Sequence, residues 1–282
     1  MSKKIFLCAI SNISSGHCLE DCKFCTQSVK YGASIERFYH KPIEKIVQEA
    51  KAARERFAVG FCLVTAGKGL DDKTLRFVCE AAEAVKKEVP ELNIIACNGT
   101  ASLEQLRALK NSGVGSYNHN LETSENFYPQ ICSTHTWKER YETCENVKNA
   151  GLNLCTGGIF GLGESLEDRE SMLNSIASLE PASVPLNFYH PNEALPLKDK
   201  TLPIEEALEM IRLARAILPN QRIMIAGGRE ITFGERDSEI FAAGANAIVI
   251  GDYLTTSGSD PMRDHRMIEE AGYEIAKECN EH

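Results

Sequence analysis

Three cysteines near the start of the chain have the residue type and the spacing of metal ligands. Cys18, Cys22 and Cys25 follow the pattern C-x3-C-x2-C within one short segment. Three thiolates in one loop can converge on one centre, and on a four-iron cluster they leave one iron without a protein ligand. Such an open position marks a reactive rather than a structural metal site. The alternative is a zinc site that takes its fourth ligand from His17 or His40.

Cysteine is frequent in the rest of the chain as well, with 11 in 282 residues. The N-terminus has no cleavage site after its short apolar stretch, which favours a first strand over a secretion signal. Without a secretion signal, metal binding or redox chemistry is a better explanation for some of the cysteines than a disulfide scaffold. Cysteine also serves as a small buried apolar residue. That ordinary interpretation is assigned to Cys8, Cys79, Cys132, Cys144 and Cys279.

Two further segments carry groups that could bind a small molecule. Tyr117–Ser124 contains two asparagines and a glutamate, whose amides and carboxylate could hydrogen-bond ribose hydroxyls or a ureido ring. Gly157–Glu164 is a glycine-rich turn. Ordinary turn chemistry is the alternative interpretation of both segments.

The elements that must position these residues alternate regularly between apolar, β-branched runs and helical patterns. The predicted strands are Ile5–Ser11, Ala58–Thr65, Leu92–Cys97, Val114–Asn118, Leu152–Thr156, Val184–Tyr189, Arg222–Ala226 and Ala247–Ile250. The predicted helices are Ile43–Phe57, Asp71–Glu88, Leu103–Asn111, Trp137–Asn149, Ser165–Leu179, Pro203–Leu218, Gly234–Ala243 and Arg263–Glu278.

About eight such units without a linker predict an α/β fold, a (β/α)8 TIM-type barrel that forms a single domain over residues 1–282. Residues 14–31 form a cluster loop in this prediction, and residues 263–278 form a C-terminal helix. An open Rossmann-type sheet is the alternative. In a barrel, the chemistry belongs at the C-terminal ends of the strands.

Composition and charge exclude several classes of partner. The net charge of −9 gives the chain no general attraction to nucleic acid or to anionic lipid. No run approaches the ~18 apolar residues that a membrane-spanning helix needs. We therefore expect a cytoplasmic protein that binds neither nucleic acid nor membranes.

The three-cysteine motif, with the aromatic Phe24 before its last cysteine, resembles the signature of the radical S-adenosylmethionine superfamily. Within that superfamily, the chain is similar to the biotin synthases from about Ser14 to Thr256, in collinear order. The similar segments surround Cys62, Cys97, Asn118, Cys155, Asn187, Arg229 and Thr255. Two departures are the Glu122 carboxylate, where the family usually has Asp, and the segment Val64–Gly69.

The resemblance implies two iron–sulfur clusters and S-adenosylmethionine as cofactors. A 4Fe-4S cluster would be held by Cys18, Cys22 and Cys25, and a 2Fe-2S cluster by Cys62, Cys97, Cys155 and Arg229. S-adenosylmethionine would be bound by Phe24, Asn120, Glu122, Arg140, Ile159 and Glu164. The substrate would be bound by Asn118, Asn120, Asn187, Thr255 and Thr256.

The implied activity is that of a transferase of biotin biosynthesis, a sulfurtransferase that inserts sulfur into dethiobiotin by means of 5′-deoxyadenosyl radicals. The implied partners are an electron donor such as flavodoxin or ferredoxin and a second copy of the chain in a homodimer. One alternative is another radical enzyme of the subfamily that resembles the hydrogenase maturases. Another is a non-catalytic iron–sulfur or zinc protein.

Overall fold

Strands and helices alternate from one end of the chain to the other, and the computed structural model describes residues 3–254 and 258–281. The strands are β1 (Lys4–Asn12), β2 (Gly60–Val64), β3 (Asn93–Cys97), β4 (Ser116–Asn118), β5 (Asn153–Cys155), β6 (Gly158–Phe160), β7 (Ser183–Phe188), β8 (Arg222–Ile225), β9 (Ala247–Ile250) and β10 (Glu274–Ile275). The helices are α1 (Ile43–Glu55), α2 (Asp72–Glu88), α3 (Leu103–Asn111), α4 (Tyr128–Ile131), α5 (Trp137–Asn149), α6 (Leu166–Ser178), α7 (Ile204–Ile217), α8 (Arg229–Phe233), α9 (Glu239–Ala243) and α10 (Pro261–Glu270). Within these described ranges, no helix has both the length and the apolar character needed to cross a membrane.

Eight of the strands close into a barrel. Neighbouring strands pair in parallel in the order β1-β2-β3-β4-β5-β7-β8-β9, and β9 pairs again with β1. At this seam Phe6 lies opposite Ala247, and Ala9 lies opposite Ile250. The short β6 pairs with the second half of β7, while β5 pairs with its start. The (β/α)8 TIM-type barrel predicted from the sequence is therefore confirmed, and the open sheet is excluded.

Side chains along a barrel strand alternate between the outer core and the lumen. On β1, Ile5 and Leu7 are fully buried in the main core, together with residues of the surrounding helices. Cys8, the next residue, belongs instead to a small separate group that we call the lumen cluster. Its buried members are Cys8, Cys62, Val64 and Ile95, with Ile10, Cys97, Met224 and Leu254 packed against them.

Helix α5 begins with a reciprocal capping box. The Thr136 side chain accepts a hydrogen bond from the Glu139 N–H, and the Glu139 carboxylate accepts one from the Thr136 N–H at 2.7 Å. The predicted capping pair of Ser165 and Asp168 begins α6 in the same way. Each box satisfies backbone N–H groups that the first helical turn leaves unpaired. The α5 box also fixes the turn that carries Arg140.

The C-terminal end differs from the prediction. The helix predicted over residues 263–278 begins at Pro261 and ends at Glu270, because Gly272 adopts a left-handed conformation with φ of 80°. The chain then adds β10 to the sheet, where Glu274 pairs with Lys4. The helix predicted over 234–243 is also divided, into a 3-10 turn at 234–236 and α9.

A buried ion pair joins the segment after β8 to the last helix. Arg229 and Asp264 are both 0% exposed, and Nη2 of Arg229 donates to both carboxylate oxygens of Asp264 at 2.9 Å. Glu230 accepts a further bond at 3.0 Å. Burial disfavours the charged guanidinium, but these carboxylates, Asp264 first, outweigh that effect and raise the pKa of Arg229. The pair therefore connects α8 with α10 in the interior.

We predict that Arg229→Met destabilises the fold, because Asp264 would remain buried without its partner. Breaking a buried pair in this way costs about 3–5 kcal/mol. Chemical unfolding followed by circular dichroism measures the loss. The matched control is Arg236→Met, since Arg236 forms exposed ion pairs with Glu205 and Glu239 and should cost much less. Equal losses in the two variants would contradict a special role for the buried pair.

Candidate active site

The cluster loop, residues 14–31, leaves the C-terminal end of β1 and carries its three cysteines on irregular backbone. The N–H of Cys25 donates to the carbonyl of Cys22 at 3.0 Å. Cys18 donates to the carbonyl of Gln27 at 3.3 Å and accepts from the N–H of Val29 at 2.8 Å. These bonds fold the loop back on itself, so that the three thiols lie on one compact loop at the end of the barrel where chemistry is expected.

A second segment, residues 132–135, packs on the cluster loop. The Asp21 carboxylate accepts hydrogen bonds from the N–H groups of Ser133 at 2.9 Å and Thr134 at 3.2 Å, and from both of their hydroxyls. Beside this contact, Sγ of Cys22 lies 3.7 Å from Sγ of Cys132. Asp21, between the first two cysteines of the motif, thus attaches the loop to the segment before α5.

Cys132 and His135 are site residues that the cysteine motif does not single out. Sγ of Cys132 lies 3.2 Å from Nδ1 of His135, which lies 2.8 Å from Oε2 of Glu20. Among the described residues, the ligand atoms of Cys22, Cys132 and His135 lie within 4.8 Å of one another. The interpretation of Cys132 as an ordinary buried cysteine is therefore incomplete. Its C-x2-H spacing to His135 is the signal that could have found it.

A buried ion pair lies at the end of β4. Nη2 of Arg140 donates to Oε1 of Glu122 at 2.7 Å, and its Nε donates to the carbonyl of Asn120 at 2.8 Å. Burial disfavours the charge of Arg140, but Glu122 outweighs this effect and raises its pKa. Glu122 also has a positive φ of 70°. Non-glycine residues rarely adopt this conformation, and those that do cluster at functional sites.

Several acceptors of this segment have no partner within the described part of the chain. They are Oδ1 of Asn118, Oδ1 of Asn120 and Oε2 of Glu122, all buried. Buried polar atoms are normally hydrogen-bonded, because leaving one unpaired costs about 1–3 kcal/mol. Three such acceptors on one segment therefore indicate a ligand that carries hydroxyl or N–H donors.

Gly157 and Gly158 form a glycine pair at the start of the glycine-rich turn. They let the turn approach the backbone of neighbouring segments closely. A side chain at Gly157 would collide with the carbonyl oxygen of Pro185. One at Gly158 would lie 2.8 Å from the carbonyl oxygen of Glu122 and would collide with Met172. The N–H of Ile159 donates to that same carbonyl at 2.8 Å. The pair therefore holds β6 against the segment that carries Glu122.

An apolar patch borders the polar groups. Phe24 and Ile159, two residues expected at S-adenosylmethionine, both pack against the buried cluster around Tyr128 and Leu162. Glu164, also expected at S-adenosylmethionine, bonds mainly within its own turn. Its carboxylate accepts from the N–H groups of residues 161 and 162 and from Nε of Arg169 at 2.7 Å. The Glu164 carboxylate thus stabilises the conformation of the glycine-rich turn through these hydrogen bonds.

The second cysteine set lies at the same end of the barrel, on three strands. The thiols of Cys62 and Cys97 share a hydrogen bond, which raises the pKa of Cys62 and lowers that of Cys97. Nδ2 of Asn118 donates to Sγ of Cys97 at 3.3 Å. Cys155 lies opposite Asn118 in the β4–β5 register, and burial raises the pKa of its thiol to about 12. Tertiary structure thus brings together cysteines that are far apart in sequence.

The arginine expected as the fourth ligand of this set forms a buried ion pair with Asp264. Nη2 of Arg229 donates to Asp264 and Glu230, whereas its Nε and Nη1 have no hydrogen-bond partner among the described residues, and its expected place beside the three cysteines stays a prediction. Asn187 is at the rim, where its amide donates to the carbonyl of Gly158 and its oxygen accepts from the N–H of residue 227. The other two expected substrate contacts, Thr255 and Thr256, lie outside the described residues.

The donors present fit the cofactors that the resemblance implies. Thiolates are the usual ligands of iron–sulfur clusters, and both cysteine sets are buried or half-buried at the reactive end of the barrel. The unpaired acceptors Asn120 Oδ1 and Glu122 Oε2 match the hydroxyl and ammonium donors of S-adenosylmethionine. Arg140, charged and buried beside them, matches its carboxylate.

Comparison with known proteins agrees with a chain that uses iron–sulfur clusters and S-adenosylmethionine. Residues 12–176 match the Radical SAM superfamily, and residues 185–274 match the Biotin and Thiamin Synthesis associated domain. The biotin synthase of Sulfurovum sp. (strain NBC37-1) is 64% identical over 281 residues, which cover 99% of both chains. The biotin synthase of Aliarcobacter butzleri is 63% identical over 278 residues, again 99% of both.

Solved structures share the fold at much lower identity. The FeFe-hydrogenase maturase HydG from Carboxydothermus hydrogenoformans has a TM-score of 0.83 at 20% identity, covering 97% of this chain and 68% of that one. Methylornithine synthase (PylB) has a TM-score of 0.82 at 21% identity, covering 97% and 84%. At these identities the likeness concerns the barrel alone. The sequence comparisons, by contrast, extend over nearly the whole chain, and they show that it belongs to the radical SAM superfamily and, within it, to the biotin synthase family.

Proposed function

We propose that this chain inserts sulfur into dethiobiotin to form biotin, as a radical enzyme that uses S-adenosylmethionine. The observation that carries the proposal is the meeting of two separate cysteine sets at one end of one barrel. Cys18, Cys22 and Cys25 are grouped by the cluster loop, and Cys62, Cys97 and Cys155 are grouped by the closure of the sheet. A reaction that both generates a radical and supplies sulfur needs two such centres.

The cluster loop is the proposed site of the 4Fe-4S cluster, whose electron, when the cluster is bound, cleaves S-adenosylmethionine to methionine and a 5′-deoxyadenosyl radical. The residues of this chain would position S-adenosylmethionine and compensate its carboxylate charge. Arg140 is held by Glu122 and the Asn120 carbonyl, which leaves other guanidinium N–H groups for the cofactor carboxylate. Asn120 and Glu122 retain unpaired acceptors for the ribose hydroxyls. Phe24 and Ile159 supply the apolar surface for adenine.

The substrate is proposed to lie between the two cysteine sets. Asn118 donates to Cys97 while its oxygen remains unpaired, so it can accept from a ureido N–H directly beside the second set. Asn187 retains one N–H and one lone pair beyond its bonds to the backbone. Thr255 and Thr256 are the proposed partners of the substrate carboxylate. Glu164 is left out of the proposed binding residues because internal donors occupy it.

The alternatives are less well supported. The hydrogenase maturase shares the barrel at 20% identity, whereas named biotin synthases match this chain at 63–64% along its length. A non-catalytic iron–sulfur or zinc protein would not need the buried polar segment around Glu122, with its unpaired acceptors. An electron donor such as flavodoxin or ferredoxin and a homodimer remain predictions from the resemblance, and a cytoplasmic location remains a prediction from composition.

Anaerobic incubation of the reconstituted protein with dethiobiotin, S-adenosylmethionine and a reductant should yield biotin and 5′-deoxyadenosine, detected by mass spectrometry. Cys25→Ala should abolish both products while the protein still folds, because the cluster loop lies outside the main core. Cys79→Ala on α2 is the control and should keep both activities. Undiminished 5′-deoxyadenosine from Cys25→Ala would contradict the assignment of the cluster loop.

Asn187→Ala should weaken the binding of dethiobiotin and leave that of S-adenosylmethionine unchanged. One lost hydrogen bond costs on the order of 1 kcal/mol, which corresponds to about fivefold in Kd. Equilibrium binding of each ligand to the reconstituted protein measures the two effects separately. Asn192→Ala, in the exposed loop after β7, is the control. Equal weakening of both ligands by Asn187→Ala would mean that Asn187 does not belong to the substrate site.

A further inference from the structure

Cys22, Cys132 and His135 form a group of metal-ligand side chains, here called the Cys–His trio, that the proposed function does not use as a set. Within the described ranges, they are the only three His, Cys, Asp or Glu residues whose ligand atoms all lie within 4.8 Å of one another. Cys132 and His135 are 3% and 6% exposed, and Cys22 is half-buried. The trio is therefore mostly shielded from water, and the Cys22 side remains accessible to an ion.

The distances within the Cys–His trio match those of a tetrahedral zinc site. Sγ of Cys22 lies 3.7 Å from Sγ of Cys132, and Nε2 of His135 lies 3.8 Å from the second sulfur and 4.0 Å from the first. With Zn–S bonds of about 2.3 Å and Zn–N bonds of about 2.0–2.1 Å, tetrahedral geometry separates two sulfurs by about 3.8 Å and a sulfur and a nitrogen by about 3.6 Å. One ion between the three atoms would therefore require only small side-chain movements.

Glu20 orients His135 for metal binding. Its Oε2 lies 2.8 Å from Nδ1 of His135, so a proton on Nδ1 is donated to the carboxylate, and Nε2 keeps its lone pair. Metal-binding histidines usually donate their other ring N–H to a carboxylate, carbonyl or water in this way, which fixes the tautomer and makes the ligand more basic. The negative charge of Glu20 also favours a cation at the trio.

The segment that carries Cys132 and His135 is held in place without a metal. The Asp21 carboxylate accepts hydrogen bonds from the N–H groups of residues 133 and 134, and the capping box of α5 begins directly after His135. Because Asp21 is adjacent to Cys22, the same bonds bring Cys22 to this segment. Metal binding therefore requires little ordering of the backbone, which favours affinity.

Arg140 is the group that competes with a metal at this position. Its Nη1 lies 3.4 Å from Nε2 of His135. That contact is long, whereas the bonds of Arg140 to Glu122 and to the Asn120 carbonyl measure 2.7 and 2.8 Å. Arg140 can thus keep its two shorter bonds when a divalent ion binds to Nε2. Its positive charge opposes the ion, while the carboxylate of Glu20 favours it.

The ligand types select the metal. Thiolate and imidazole ligands suit zinc, whereas Mg²⁺ and Ca²⁺ prefer oxygen ligands, and such a site binds Zn²⁺ more tightly than Fe²⁺. Both thiols lose their protons when the metal binds. Three protein ligands leave the fourth tetrahedral position to water.

We propose that the Cys–His trio binds Zn²⁺ in the protein that carries no 4Fe-4S cluster. Cys22 and Cys132 bind as thiolates, and His135 binds through Nε2. One consequence rests on the proposed function: Cys22 is also a proposed ligand of the 4Fe-4S cluster, so zinc and that cluster exclude each other. Zinc bound before cluster assembly therefore keeps the chain inactive.

The first test uses Co²⁺ as the probe, because it takes the ligands of zinc and absorbs visible light. Full-length protein prepared anaerobically without iron or sulfide is titrated with Co²⁺, and the intense absorption of four-coordinate, thiolate-bound cobalt is measured. The unchanged protein should bind cobalt, and Zn²⁺ should displace it. Cys132→Ser, which keeps the side-chain size, and His135→Ala should each weaken binding by about tenfold or more, since even a lost supporting carboxylate has an effect of that size. Circular dichroism checks that both variants fold.

Cys18→Ala and Cys25→Ala are the matched controls, because they remove thiols of the cluster loop outside the trio. Both should bind cobalt with unchanged affinity, although neither should assemble the 4Fe-4S cluster. Loss of cobalt binding in these controls would mean that the motif cysteines bind the ion, and it would overturn the inference. Undiminished binding in Cys132→Ser and His135→Ala, or no binding to the unchanged protein, would also overturn it.

The second test separates the zinc site from the proposed function. The unchanged protein and Cys132→Ser are reconstituted with iron and sulfide, with and without Zn²⁺, and Mössbauer spectroscopy measures the 4Fe-4S content. Zinc should lower the content of the unchanged protein by about twofold or more, because it binds these ligands more tightly than Fe²⁺, and should affect Cys132→Ser much less. Equal inhibition of the two proteins would overturn the inference, since zinc would then act at the motif cysteines alone. Absence of a 4Fe-4S cluster from the unchanged protein without zinc would overturn the proposed function and would not affect the cobalt result.

Discussion

The pairing of β9 with β1 is the constraint on which the rest of the structure depends. Without this pairing, one edge of β1 and one edge of β9 would be left open. With it, the sheet closes, and the C-terminal ends of all eight parallel barrel strands meet at one rim. The cluster loop follows the first of these strands, and the segment with Asn118 and Glu122 follows the fourth. Closure also creates a lumen, so that inward side chains of different strands face one another rather than solvent.

Two buried arginines of the barrel have their charges compensated in different ways. Arg140 is buried, and Glu122 compensates its charge at 2.7 Å while keeping one carboxylate oxygen unpaired. Arg229 is also buried, but Asp264 accepts from it with both oxygens. In the first pair, Oε2 of Glu122 has no partner among the described residues; in the second, both Asp264 oxygens are bonded, while Nε and Nη1 of Arg229 have no hydrogen-bond partner there.

The two cysteine sets, both proposed as metal sites, are assembled in two different ways. The cluster loop needs only a short stretch of chain, folded back by bonds such as that between Cys18 and Val29. The lumen set needs the correct register of several strands, because a shift by one residue would turn each cysteine towards the helices. The proposed cluster in the loop therefore depends on local backbone conformation, while the positions of the lumen thiols depend on strand pairing. Such a division suits one centre that must admit a cofactor and another that must stay shielded.

The sequence by itself determined the order of strands and helices, the barrel class and the cluster loop, because these depend on local periodicity and on spacing within one segment. It placed the helix over Leu103–Asn111 at its observed bounds. It misjudged the C-terminal helix, which ends before the left-handed Gly272 and is followed by the pairing of β10 with β1. The tertiary structure alone decided that Arg229 faces Asp264, that Cys132 and His135 lie beside Cys22, and that Cys8 faces the lumen. The reason is physical: side-chain direction and contacts between distant strands follow from sheet register and closure, and neither is encoded in any single segment.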